Sequence, residues 1–171
     1  MPKGPQVNVP EEKITNGRWT LCHKQTFNDA LNDNKLRSIQ SNKCSKKKVL
    51  VGCKKVGSKV LDVLAWADNN VVFGMTDSSL CGTACNGNVA QGTKWYWSTQ
   101  KTKGQGAWGF AKSDAKINLD YIDLEDKKDS KRISYWLRDI AGESPGYRCG
   151  ASIVGETNTG PLWELEFYHA Y

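Results

Sequence analysis

Residues 94–112, KWYWSTQKTKGQGAWGFAK, decide the fold class of this chain. Three of the seven tryptophans fall in this segment, and aromatic residues favour β-strands. Gly104 and Gly106 favour a turn between two such strands. The segment therefore predicts an antiparallel hairpin with a polar, basic tip, and it indicates a β-rich domain.

The alternation of side chains along a strand predicts the two faces of this hairpin. Trp95 and Trp97 share one face, and we expect them to point into the core because they carry most of the apolar surface. Tyr96 then points outward, beside the bare strip that Gly109 leaves on the second strand. A flat shelf of this kind can hold a stacked ligand, so the predicted binding residues are Tyr96, Trp97, Trp108, Lys101 and Lys103.

Length and composition are those of one folded domain. A chain of 171 residues with 39% hydrophobic and 25% charged residues is long enough to bury a core. No run of about eighteen apolar residues occurs, so no membrane span is predicted. Residues 1–16 are polar and proline-rich, without the apolar centre of a signal peptide, so an export signal was either removed or was never of that kind. We expect an extended or disordered arm over residues 1–16, followed by a single disulfide-linked globular domain over residues 17–171.

The remaining pattern predicts about eight or nine short strands and one helix near residues 27–41. Thr26 and Asp29 form a weak capping box at the start of that helix. Residues 71–75 are predicted as a short strand, and the closing segment LWELEFYH, residues 162–169, alternates like a half-buried strand. Short connections favour antiparallel pairing. The predicted fold class is therefore α+β, a β-rich single domain with antiparallel strands and the helix packed on one sheet face.

Much of the net charge of +6 lies in one segment. Residues 43–59 contain seven lysines and no acidic residue. We interpret this lysine-rich segment as solvated surface, and the alternative is a docking face for a polyanion such as nucleic acid, a sulfated glycan or an anionic membrane. The lysines lack interleaved aromatic residues, the arginines are dispersed, and no nucleic-acid-binding motif occurs. Nucleic acid is therefore not an expected partner.

Six cysteines, an even number, suit disulfide bonds in an oxidising compartment. Cys81 and Cys85 enclose only small residues, so we expect them to close a short loop. The other four cysteines are expected to form two long-range links, and they are Cys22, Cys44, Cys53 and Cys149. Zinc is disfavoured because no Cys-x-x-Cys pair occurs. The competing interpretation is a reduced intracellular protein with buried thiols.

No sequence motif supports catalysis, because the chain has no Gly-x-Ser-x-Gly, no phosphate-binding loop and no His-Glu-x-x-His. His23 and His169 lie on predicted strands, where a structural role is the commoner one. Glu164 and Glu166 share a strand face; such a pair can hydrolyse glycosides at the right separation, but it is more often paired with lysines. Residues 120–126 lack the glycine and the spacing of a calcium loop. We therefore predict no catalytic residue, no metal and no cofactor.

Short motifs are spread along the chain from Gly17 onward: Trp-x-x-Cys at residues 19–22, Val-Gly-Cys at 51–53, Trp-Gly-Phe at 108–110, Gly-Tyr-Arg-Cys-Gly at 146–150 and a final Trp-Glu at 163–164. Together they resemble small secreted β-rich modules of bacterial and protist surface proteins. This resemblance implies an extracellular or cell-surface location. The Gly-Tyr-Arg-Cys segment is also similar to the closing strand of formylglycine-generating-enzyme-like and C-type-lectin-like domains. The Glu-Pro-Asn, Gln-Pro-Asp and Trp-Asn-Asp triplets of calcium-binding lectins are missing, so calcium-dependent sugar binding is not implied.

Two functions from different classes agree with these features. The first is an extracellular or surface-displayed, non-catalytic binding module, lectin-like or adhesive, whose ligand is a glycan, because Trp and Tyr rings stack on the apolar faces of sugars. The alternative is a structural protein of an extracellular coat or filament, in which the same aromatic residues are buried against a neighbouring surface protein. A small hydrolase is a more distant alternative.

Overall fold

The structure is a computed structural model that describes residues 1–76, 87–99, 106–117, 128–139, 148–154 and 159–171. Within these ranges the chain forms two antiparallel sheets, one of five strands and one of six. This confirms the prediction of a β-rich domain with antiparallel pairing. One face of each sheet contributes to a shared apolar core, so the two sheets pack face to face.

The five-stranded sheet brings together strands that are far apart in the sequence. Its strands are β1 (Gln6–Pro10), β2 (Thr20–Thr26), β3 (Lys48–Lys55), β4 (Val60–Asp68) and β11 (Trp163–Ala170). They lie in the order β1-β4-β3-β11-β2, and every neighbouring pair is antiparallel. The closing strand β11 is therefore central, between β3 and β2.

The six-stranded sheet is a meander in which each strand pairs with the next one along the chain. Its strands are β5 (Asn88–Ala90), β6 (Thr93–Ser98), β7 (Gly106–Lys112), β8 (Ile133–Leu137), β9 (Arg148–Cys149) and β10 (Ser152–Ile153). The predicted hairpin is the pair β6–β7, in which Trp97 lies opposite Trp108 and Trp95 opposite Phe110. Both strands of the hairpin are therefore interior strands of this sheet, each with a neighbour on either side.

Helical structure is brief. It comprises α1 (Glu11–Asn16), α2 (Asp33–Ser38), which continues as a π-helical turn (Ile39–Lys43), α3 (Asn69–Val72) and a 3-10 turn (Gly160–Leu162). The helix predicted near residues 27–41 begins later, because Asn32 is its N-cap and accepts a 2.7 Å hydrogen bond from the backbone of Lys35. Thr26 does hydrogen-bond to Asp29, at 2.9 Å, but this bond closes a turn. The prediction of a strand at residues 71–75 is wrong, since its first two residues, Val71 and Val72, belong to α3.

Trp95 and Trp97 of the hairpin face the core as predicted, and Trp108, which was predicted as a binding residue, lies there with them. Trp95, Trp97 and Trp108 are all buried in the cluster between the two sheets. The ring of Trp108 lies 5.5 Å from the ring of Phe167, which belongs to β11 of the opposite sheet. Stacked and tilted aromatic contacts of this kind stabilise the centre of the sandwich.

Tyr96 is also buried, so the prediction that it faces solvent is wrong. Only 1% of this residue is exposed, and its hydroxyl donates to the carbonyl oxygen of Ile133 at 3.2 Å and to Ser134 Oγ at 3.0 Å. Its ring lies over Gly109, where a Cβ would come within 2.8 Å of the tyrosine hydroxyl. Ala115 and Ile117 cover this outer face, because the chain folds back over the sheet after β7.

The three aromatic residues that the sequence predicted to bind a ligand on the hairpin are buried. They are Tyr96, Trp97 and Trp108, and at most 1% of each is exposed. Lys101 and Lys103, predicted at the tip, lie outside the described residues. We therefore look for exposed aromatic and charged side chains on the other described faces.

The N-terminal segment is part of the fold rather than an extended or disordered arm. β1 pairs with β4, and α1 lies on the outer face of the five-stranded sheet. There Ile14 and Trp19 are buried against Leu50, Leu64 and Tyr168 in a second apolar cluster. This coverage hides an outer sheet face that the alternation of the sequence suggested was exposed to water.

Two disulfides join four of the six cysteines, and they are Cys22–Cys44 and Cys53–Cys149. They confirm the expectation that these four cysteines supply two long-range links. Cys53 is on β3 and Cys149 is on β9, so the second disulfide connects the two sheets. The predicted Cys81–Cys85 pair lies outside the described residues.

Candidate functional site

Two clefts on the outer face of the five-stranded sheet bring several charged or aromatic side chains together, and a third, lined by residues of β1 and α1, holds one lysine and no acidic side chain. The Lys54 cleft is lined by Glu11, Thr15, Leu21, Lys24, Lys54, Val56, Gly57, Ser58, Lys59, Glu164, Glu166 and Tyr168. The aromatic–cationic cleft is lined by Met1, Gly17, Arg18, Trp19, Lys48, Trp66, Ala170 and Tyr171. Each has a volume of about 400 Å³, within the usual range for small-molecule sites.

A buried ion network forms the floor of the Lys54 cleft. The ammonium of Lys54, which is 5% exposed, donates to Glu11 and lies 3.5 Å from Glu164 Oε1 and 3.3 Å from Glu166 Oε1. β3 and β11 place these groups together, since Lys54 and Glu164 are directly opposite each other in the pairing. Glu164 and Glu166 are therefore lysine partners, the commoner of the two roles that the sequence allowed.

The environment of this network changes the pKa of its members. Burial raises the pKa of the Glu166 carboxyl, although the hydroxyl of Tyr168 donates to Glu166 Oε2 at 2.5 Å and favours the ionised form. Burial alone would lower the pKa of Lys54, but its hydrogen bond to Glu11 and the charge of Glu166 outweigh that effect and raise it. Burial and the neighbouring Glu166 raise the pKa of Tyr168.

The Lys54 network holds α1 on the sheet. Its ammonium forms ion pairs with both Glu164 and Glu166, the two carboxylates that a glycoside hydrolase would need for catalysis. Glu11 belongs to α1, so the bond from Lys54 fastens that helix to β3. We interpret the cluster as structural, and this interpretation gives no support to the hydrolase alternative.

We expect Lys54→Met to lower the free energy of unfolding at pH 7 by about 3 kcal/mol, because buried carboxylates lose their counter-charge. The folded pKa of Lys54 is raised, so its stabilising contribution is complete at neutral pH and is lost as the pH rises above its ordinary value of 10.5. The difference between the variant and the wild type should therefore shrink above about pH 10.5.

Urea unfolding at pH 7 and at pH 11 measures both effects. The matched control is Lys55→Met, because Lys55 is exposed and its ammonium lies over the ring of Trp163, 5.6 Å from the centroid. This control should change stability by less than about 1 kcal/mol at either pH. Equal losses in the two variants at pH 7 would contradict the structural role of Lys54.

Aromatic rings and cations line the second cleft. The ring of Trp66 is half-buried and lies 6.1 Å from that of Trp19, while Tyr171 is 87% exposed at the edge of the cleft. Trp66 also donates from its indole nitrogen to the backbone oxygen of Pro2 at 3.0 Å, which fixes the ring plane. The cleft therefore offers one anchored ring and one ring that is open to solvent.

Cations lie directly over these rings. The ammonium of Lys48 is 5.6 Å from the centre of the Trp66 ring, and that of Lys46 is 4.5 Å from the centre of the Tyr171 ring. Both distances fall within the range of cation–π attraction. The lysine-rich segment thus does have aromatic partners, but they come from β4 and from the residue after β11.

Arg18 completes the cleft from the loop between α1 and β2. Its φ is +68°, a left-handed conformation that costs a residue with a side chain about 1–2 kcal/mol. The backbone of Arg18 donates to the carbonyl oxygen of Thr15 at 3.1 Å, and that of Trp19 donates to Ile14 at 3.3 Å. The end of α1 thus imposes the conformation that directs an exposed arginine into the cleft.

Sequence reasoning missed this cleft because its residues have no local pattern. Arg18, Lys48, Trp66 and Tyr171 meet only through the order β4-β3-β11 and the loop before β2. One signal was available: Arg18 and Trp19 are adjacent, and both residue types are enriched among the residues that dominate binding energy at interfaces.

The two histidines have structural surroundings. His23 Nε2 lies 2.9 Å from Gln25 Oε1, and His169 Nδ1 accepts a 3.5 Å hydrogen bond from the backbone of Lys46. Burial lowers the pKa of both imidazoles.

Among the described residues, no group of at least three His, Cys, Asp or Glu side chains is placed to hold a metal ion. In the same part of the chain, no helix has both the length and the apolar character needed to cross a membrane.

Comparisons with protein-family models, with curated proteins and with solved structures find no match to this chain. Function is therefore inferred from the chemistry of the two clefts. Of these, the aromatic–cationic cleft has an exposed ring and cationic hydrogen-bond donors, as a binding site needs, whereas the charged groups at the floor of the Lys54 cleft, Lys54, Glu164 and Glu166, are paired with one another.

Proposed function

We propose that this protein is a non-catalytic glycan-binding module whose ligand lies in the aromatic–cationic cleft. The observation that carries the proposal is the exposed ring of Tyr171 beside the anchored ring of Trp66 in a cleft of about 380 Å³. Pyranose rings present apolar C–H faces that stack on aromatic rings, and their hydroxyls accept hydrogen bonds from nearby donors. Arg18 and Lys48 supply those donors from the walls of the cleft.

An extracellular or cell-surface location is part of this proposal. Disulfides persist in oxidising compartments, and two of them link distant parts of this chain. Both disulfides fit an oxidising compartment better than the alternative of a reduced intracellular protein.

We expect Tyr171→Ala to weaken glycan binding about tenfold or more, which corresponds to about 1.4 kcal/mol, and to leave the melting temperature within about 2 °C of the wild type. The ring is almost fully exposed, so its loss removes a stacking surface without opening a cavity in the core. A glycan array identifies the ligand, and titration calorimetry with the strongest binder measures the loss.

The matched control is Leu162→Ala, which removes another exposed apolar side chain, from the 3-10 turn before β11. It should leave the affinity unchanged. Light scattering on the same samples tests the alternative of a coat or filament protein. A mass well above 19.0 kDa, together with no binding on the array, would contradict the proposal and favour assembly.

A further inference from the structure

Building on this proposed function, we propose that the aromatic–cationic cleft selects glycans with an acidic substituent, a sulfate or a carboxylate, which Arg18 and Lys48 bind. The inference depends on the cleft being the glycan site. It adds the chemical class of the ligand and assigns the residues that distinguish an acidic sugar from a neutral one.

The charge of the cleft is the first observation. Among the described residues that line it, Arg18 and Lys48 are cationic and none is acidic. Lys46 adds a third positive charge beside Tyr171, at the rim. Asp68 lies opposite Lys48 in the strand pairing, but the ammonium of Lys48 lies over the indole of Trp66 instead. A ligand in this cleft therefore meets a positive potential that favours an anion.

The conformation of Arg18 is the second observation, and it is independent of charge. A glycine adopts the left-handed region without steric cost, and α1 would end more favourably with a glycine at this position. Gly17, the preceding residue, has a φ of −78°, so it is not the residue that adopts the left-handed conformation at the end of α1. The chain thus carries an arginine where folding alone favours glycine, and strain of this kind is concentrated at binding sites.

The guanidinium of Arg18 is not bound to another group in the described part of the chain. Its residue is exposed, and its side chain makes no hydrogen bond or ion pair with the described residues. A planar guanidinium binds sulfate or carboxylate through two parallel N–H···O bonds, whereas an ammonium such as that of Lys48 acts as a point charge. A sugar stacked on Tyr171 would place an acidic substituent between these two cations.

The test compares three probes at physiological salt: a heparin hexasaccharide, the same hexasaccharide made neutral by desulfation, N-acetylation of the freed amines and reduction of its carboxylates, and double-stranded DNA of matched charge. The central variant is Arg18→Gly. We expect it to weaken binding of the heparin probe at least tenfold while raising the melting temperature by about 2–4 °C, because left-handed strain is relieved. Binding of the neutral probe should change less than about twofold.

Two matched controls separate these effects. Gln91→Gly relieves left-handed strain at another site, since Gln91 has a φ of 52°, and it should leave the affinity for heparin unchanged. Lys59→Gln removes one exposed positive charge from the lysine-rich segment outside the aromatic–cationic cleft, and it should change the affinity less than about twofold.

The outcomes distinguish this inference from the function on which it rests. Equal affinity of the wild type for the acidic and neutral probes would overturn the selection for acidic sugars while leaving glycan binding in place. If Arg18→Gly binds heparin as tightly as the wild type, the role assigned to Arg18 is overturned. If the wild type binds DNA as tightly as heparin, the selection for acidic sugars is overturned, because binding is then a general attraction between the cationic protein and polyanions. Binding of neither sugar probe, with no other binder on the glycan array, would overturn both proposals.

Discussion

Trp97→Ala should lower the free energy of unfolding by about 4 kcal/mol, one of the largest effects of any single substitution in this protein. The side chain is fully buried between the two sheets, so its removal leaves a cavity that the surrounding strands cannot close. Its indole nitrogen also donates to Asp33 Oδ1 at 2.8 Å, and the guanidinium of Arg37 lies 4.4 Å from the ring centre. The substitution therefore removes core packing and the contact that holds α2 against β6.

Trp136→Ala is the matched control, because Trp136 is the same residue type but is half-buried on the outer face of the six-stranded sheet. Its loss should cost about 1–2 kcal/mol. Guanidinium-induced unfolding, followed by far-UV circular dichroism, measures both values. Similar losses in the two variants would contradict the assignment of Trp97 to the centre of the core.

Tyr96→Ala in the same series tests the corrected face of the hairpin. A tyrosine on the surface would leave stability almost unchanged, which is what alternation alone predicted. The buried ring over Gly109, with its hydroxyl bonded to Ile133 and Ser134, predicts a loss of about 3 kcal/mol instead.

The comparison of Trp97 with Tyr96 shows what a strand pattern can predict. Alternation assigns side chains to two faces, and the volume of the tryptophans identifies the face that the core needs. Alternation does not reveal that the second face is covered by Ala115 and Ile117, because that coverage depends on the path of the chain after β7. The outer face of β11 is a second example: Glu166 has the lysine partner that the sequence allowed, but only 2% of it is exposed on a face that alternation assigned to solvent.

The sequence also predicts only part of the candidate site. The sequence indicated the class of ligand from its aromatic residues and the basic segment from its lysines, but it placed the site on the hairpin. Trp66 and Tyr171 come together with Lys48 because β3 pairs with both β4 and β11. The pairing of β3 with two strands that are far from each other in the sequence produces no pattern of neighbouring residues along the chain. The closeness of Lys48, Trp66 and Tyr171 therefore becomes visible only once the order of the strands in the sheet is known.

Replacing Cys53 and Cys149 together with alanine should lower the free energy of unfolding by about 4–5 kcal/mol. These cysteines are 96 residues apart in the sequence, so their bond restricts a long loop in the unfolded chain. It also connects β3 to β9 and thereby holds the two sheets together at a point where both cysteines are buried. A loss of this size is a large part of the stability of an ordinary domain, about 5–15 kcal/mol, so the variant should be partly unfolded at 37 °C.

The second disulfide supplies the comparison. Cys22 and Cys44 are 22 residues apart, so the same chain-entropy argument gives about 3.4 kcal/mol for the double alanine variant. Calorimetry on both variants should therefore show the lower melting temperature for the pair Cys53→Ala and Cys149→Ala. The reverse order would mean that the Cys22–Cys44 link, which ties β2 to the π-helical turn, stabilises the native packing beyond its effect on the unfolded chain.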